Sequence, residues 1–136
     1  MTDDDLTRIL TTTRRIALVG ASNKPARPSY EVMQFLLSQG YDVTPVNPGL
    51  AGQSILGRTV AASLDAAAPL DMVDLFRNSA EVAAPVADAI RLGAKTIWMQ
   101  LGVINEDAAQ TARAAGLQVV MNRCPAIDIP RLGLLK

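Results

Sequence analysis

The chain has no histidine and a single cysteine, Cys124, among its 136 residues. Without histidine, Ser-His-Asp and Cys-His catalysis and any phosphohistidine relay are excluded on this chain alone. One cysteine allows no intramolecular disulfide, and the two absences together exclude an ordinary zinc site of Cys and His ligands, so no metal is expected. No apolar run approaches the roughly 18 residues of a membrane span. The N-terminus, "MTDDDLTRIL", is acidic where a secretory signal would be basic, so the chain reads as soluble and cytoplasmic. An excess charge of either sign is also missing, since thirteen basic residues balance thirteen acidic ones. The net charge therefore gives no reason to expect nucleic acid or an anionic membrane as partner.

What is present is a composition that is 49% hydrophobic at a length suited to one domain, residues 1–136, with an acidic leader helix within residues 1–13. Apolar runs alternate with helical patterns, which predicts βαβ units and a parallel sheet. Five strands are read: "RIALVG" (15–20), "DVTPVN" (42–47), "MVDLFR" (72–77), "TIWMQ" (96–100) and "QVVMN" (118–122). Helices are expected at about 29–39, 80–91 and 105–115, the last capped by Asn105 and stopped by Gly116. Pro85 predicts a separate first turn in the second of these. Residues 48–70 read as a long loop with one short helical turn. The fold class is α/β, a doubly wound, Rossmann-like parallel sheet with the order 3-2-1-4-5.

In such sheets ligands lie beyond the carboxyl ends of the strands. The segments expected there, 21–29, 47–58, 77–80, 100–105 and 122–126, carry Lys24, Arg27, Arg58, Arg77 and Arg123 but no Asp or Glu. Random placement of the acids would put roughly three in them, so this edge is expected to meet an anion. Gly20 ends the first strand, where the chain must turn and approach a ligand. Ser22 and Ser29 offer hydroxyls and Lys24 and Arg27 charge for a diphosphate, while Glu31 in the first helical turn opposes it. A nicotinamide cofactor would want G-x-G-x-x-G and an acid closing the second strand. This chain has Ser22, Pro25 and Asn47 at those places. An NAD(P)-binding protein stays the alternative, as does a scaffold module with a vestigial pocket.

"VGASNKPARPSYEVMQFLLSQGYDVTPVNP", "VDLFR", "WMQLGVINEDAA" and "NRCPAIDIPRL" together resemble the stand-alone CoA-binding protein family. That family is similar to the CoA-binding domain of succinyl-CoA synthetase α subunits. The resemblance implies that coenzyme A or an acyl-CoA binds at the carboxyl edge, with Gly20, Ala21, Ser22 and Lys24 under the diphosphate, helped by Arg27 and Ser29. Asn47 and Pro48 would border the adenosine, where a carboxylate would repel the ribose 3'-phosphate. Phe76 and Arg77 would flank adenine or reach a phosphate, or Phe76 would be core. Gln100, Leu101, Gly102 and Val103 would line the pantetheine path, and Arg123 would add charge. Trp98 is expected in the core, Asp74 in a structural hydrogen bond, and Asp128 beside Arg131. Cys124 is either a buried structural thiol or a reactive one. The synthetase α subunits carry a phosphorylated histidine in a second domain, and this chain has neither. The implied role is non-catalytic binding or regulation, alongside a partner enzyme or a second copy.

Overall fold

Strand side chains point alternately to the two faces of a sheet, and this alternation divides the core in two. In the computed structural model, which describes residues 1–136, β1 (Arg15–Val19) sends Ile16 and Leu18 to one face and Ala17 and Val19 to the other. The first face is covered by α1 (Asp3–Thr12), α2 (Pro28–Ser38) and α6 (Pro125–Arg131). The second is covered by α3 (Leu64–Ala67), α4 (Ala83–Arg91) and α5 (Glu106–Ala114). Burial on both faces explains why the strands read as continuous apolar runs.

The other strands of the parallel sheet are β2 (Asp42–Val46), β5 (Met72–Leu75), β6 (Thr96–Met99) and β7 (Gln118–Val120). The class is as expected, α/β with five main strands in one Rossmann-like domain. Their spatial order is β2-β1-β5-β6-β7. Counting the main strands alone this is 2-1-3-4-5, so the expected 3-2-1-4-5 is corrected at the third strand. Its cause is local: beyond the short hairpin β3 (Ser54–Ile55) and β4 (Arg58–Thr59), Ala61 lies along the outer edge of β2. Its N–H donates to Pro45 O at 2.9 Å, and Asn47 N–H donates to Ala61 O at 3.0 Å. The third strand therefore pairs with β1. Pro45, which has no N–H to give a neighbour, fits only an edge strand of this kind.

The acidic leader is part of the core. Its Leu6, Ile9 and Leu10 are buried, Thr2 and Asp5 form a capping box at its start, and the Tyr41 hydroxyl donates to Leu10 O at 2.6 Å. In α5, Asn105 caps the N-terminus by accepting from Ala108 N–H at 3.0 Å, a bond of about 1 kcal/mol. Its buried face is Ala108, Ala109 and Ala112, small enough to lie close on the sheet. Pro85 sits in the first turn of α4, after a separate 3-10 turn at Ser79–Glu81. No helix is long and apolar enough to cross a membrane.

Candidate functional site

At the carboxyl ends of β1, β5 and β6, beside the start of α2, lies a cleft of about 950 Å³. That is the upper end of the roughly 300–1,000 Å³ of small-molecule sites. Gly20 opens it. Its φ is +87°, and a Cβ there would stand 2.1 Å from Phe76 O. The glycine thus lets the first turn cross the backbone of the third main strand, whose Phe76 N–H donates to Val19 O at 2.8 Å. One glycine suffices because only one backbone is crossed. The close approach is to protein rather than to a ligand, which corrects the reason inferred from sequence.

Beyond Gly20 the turn is folded on itself, with Ser22 Oγ accepting from Lys24 N–H at 3.1 Å. The N–H groups of Ser22 and Ser29 have no acceptor in the protein and belong to cleft-lining residues. Lys24 and Arg27 are exposed and make no ion pair. Free N–H donors at a turn and a helix start, with two uncommitted cations, form an anion-binding surface. The helix supports this despite Glu31, which also lines the cleft.

Asn47 holds the two halves of this surface together. Its Nδ2 donates to Ala21 O at 2.8 Å, and its Oδ1 accepts from Gly49 N–H at 2.8 Å. Both ends of the amide are used by the backbone, so Asn47 positions the turn and has no carboxylate to offer a ribose hydroxyl.

All the residues expected at the site line this cleft except Pro48, Gly102 and Arg123. Pro48 borders an adjoining hollow of about 380 Å³ with Ser63, Leu64 and Pro85, which shares Gly20, Asn47 and Arg77 with the cleft. Gly102 is turned into the loop, its N–H donating to Asn122 Oδ1 at 2.7 Å. Arg123 is held at 3.1 Å by Asp128, which also takes Arg131 at 3.2 Å, the expected ion pair. Two further cations are committed: Arg77 to Glu81 at 2.7 Å, and Arg58 to Asp42. Asp42 begins β2, so Arg58 serves the opposite edge of the sheet and not the carboxyl edge. Pro28, Val32, Gly49, Leu50, Asn78, Cys124 and Ala126 join the lining. The signal for several of them was position alone, immediately after a strand or in the first turn of α2.

A family model described as a CoA binding domain matches residues 14–130. The chain belongs to this CoA-binding family. The chain is 33% identical over 121 residues to the uncharacterized protein YneT of Bacillus subtilis (strain 168), covering 88% of each. A hypothetical protein from Pyrococcus horikoshii OT3 superposes with a TM-score of 0.92 at 44% identity, over 97% of this chain and 92% of that one. An acetyl-coenzyme A synthetase 1 from Ca. Korarchaeum cryptofilum gives a TM-score of 0.68 at 23% identity, over 79% of this chain but 26% of its own. That likeness is one of fold.

In this member of the family Trp98 is fully buried, its Nε1 donating to Arg123 O at 2.9 Å, as expected of a core residue. Asp74 is fully buried beside it, between Leu18 and Trp98 in register. The Gln100 side-chain amide lies against the carboxyl, 2.9 Å from Asp74 Oδ1 and 3.2 Å from Oδ2. Burial pushes the Asp74 carboxyl well above its ordinary value of 3.8. The group stays protonated in the fold at pH values where the unfolded chain would ionise it. The associated stability is complete below about pH 4 and declines as pH rises toward the folded value. Asp74→Asn, which cannot ionise, should match the parent in urea denaturation at pH 4 and exceed it at pH 8. Equal differences at the two pH values would contradict the assignment.

Proposed function

We propose that the chain binds coenzyme A in the main cleft and acts as a binding or regulatory module without turning its ligand over. The reading rests first on Lys24 and Arg27, which have no carboxylate partner and stand beside the free N–H groups of Ser22 and Ser29. A diphosphate fits that surface, and the ribose 3'-phosphate of CoA accords with a second-strand end closed by Asn47 rather than an acid. The remaining length of the cleft, toward Gln100, Val103 and Cys124, suits a pantetheine arm that needs few hydrogen bonds among apolar walls. A non-catalytic role is supported by the lack of histidine and by the burial of Asp74 beneath the cleft.

Thermal denaturation with CoA and with NAD tests this reading. CoA at a hundredfold excess over its dissociation constant should stabilise the fold by about 2.7 kcal/mol, and NAD should not. Stabilisation by NAD alone would replace CoA with a dinucleotide. No effect from either would favour a vestigial pocket in a scaffold module.

A further inference from the structure

The main cleft has a neighbour on the far side of Leu101 and Cys124. A second hollow of about 420 Å³ begins there, lined by Leu101, Met121, Asn122, Arg123, Cys124, Ile127 and Asp128. Leu101 and Cys124 line both, so the two spaces adjoin. Leu101 and Ile127 are 56% and 55% exposed, two of the few large apolar side chains that the fold leaves in water. Scattered exposed leucines need no explanation, but two flanking one hollow at the end of a ligand cleft do.

The polar groups of this hollow are engaged within the protein. Asn122 accepts from Gly102 N–H, and Arg123 and Arg131 share Asp128 Oδ1, while Arg131 also pairs with Asp3 at 3.1 Å. Two cations and two carboxylates balance. The exception is Asp128 Oδ2, which is buried with no partner. A carboxylate at the far end of a ligand gains nothing from such surroundings, whereas a hydrocarbon chain covers Leu101, Met121 and Ile127 and takes them out of water.

We propose that this second hollow receives the acyl chain of a thioester whose CoA portion occupies the main cleft, and that it selects neutral hydrocarbon acyl groups over those ending in a carboxylate. The proposal rests on the reading of the main cleft as a CoA site. Each methylene that enters the hollow should tighten binding by about three- to fourfold when fully covered, and less at the open rim.

Calorimetric titration with CoA, acetyl-CoA, butyryl-CoA, hexanoyl-CoA and succinyl-CoA tests it. The expected result is affinity rising from acetyl- to hexanoyl-CoA, by about tenfold or more across the series, with succinyl-CoA no tighter than CoA. Ile127→Asp, at an exposed position outside the main cleft, should remove the hexanoyl advantage and leave the CoA affinity unchanged. Equal binding of CoA and hexanoyl-CoA would overturn the acyl site while leaving the CoA reading intact, as would an equal loss for both ligands in Ile127→Asp. A preference for succinyl-CoA would overturn the selectivity. Failure of every thioester and of CoA itself would overturn the reading of the main cleft, and the acyl site with it.

Discussion

Replacing Lys24 and Arg27 together by alanine should weaken CoA binding about a hundredfold and leave the melting temperature essentially unchanged. Each side chain is exposed and has no partner in the protein, so neither contributes to folding beyond the few tenths of a kcal/mol usual for a surface position. A hydrogen bond from a charged donor to a phosphate is worth roughly 1.5–3 kcal/mol. At these solvent-exposed positions screening places each near the lower figure, about tenfold in affinity. Arg77→Ala offers the contrast. Its guanidinium is already held by Glu81 at 2.7 Å, so its removal should weaken CoA less than either single replacement in the first turn. Calorimetry at low and high salt checks both points. An unchanged affinity in the double variant would place the phosphates elsewhere.

Gly20→Ala should cost about 3 kcal/mol of stability. The left-handed backbone at φ +87° disfavours an alanine by about 1–2 kcal/mol. The methyl would also stand 2.1 Å from Phe76 O, and relieving that overlap means moving β1 away from β5 or shifting the turn. Overpacking of this kind costs about 1–3 kcal/mol. For a chain of this size the sum corresponds to a fall of about 10 °C in melting temperature. The CoA affinity of the protein that still folds should fall too, because Phe76 and the Ser22 turn both line the cleft. A loss under 1 kcal/mol would show that the strand crossing relaxes freely.

The two substitutions mark what was legible in the sequence. The α/β class and the starts of the strands followed from apolar runs, because burial on both faces leaves an unbroken hydrophobic signature, while each expected strand ran one or two residues past its observed end. The strand order did not follow from them. It depends on Ala61 occupying the edge of β2, a contact made at the end of a segment with little periodicity. Pro45 was the available signal, since an interior strand would have required the N–H that it lacks. Helix α6 is absent from the helices expected from the sequence, since two prolines, Pro125 and Pro130, stand in seven residues. Pro125 instead sits at the first helical turn, where a missing N–H costs nothing, and Pro130 lies near the end of a seven-residue helix.

At the site, the first turn was readable because its residues are consecutive. The allocation of cations was not, since it depends on partners distant in sequence or hidden in a helix. Arg58 reaches Asp42 through a two-strand hairpin, and Arg123 is drawn back by Asp128 from the next helical turn. The second hollow at Leu101 and Ile127 joins residues 26 positions apart, and nothing in either stretch announces the other.

A titration of the uniformly labelled protein with CoA, followed residue by residue in its backbone amide NMR spectrum, tests the central claim most directly. The largest shifts should fall on Ser22, Ser29, Gln100 and Val103, with smaller ones at Gly49 and Leu50, and the amides at the start of the strands, Arg15 and Asp42, should stay in place. Shifts centred on that opposite edge, or none at CoA concentrations far above those of the protein, would contradict it.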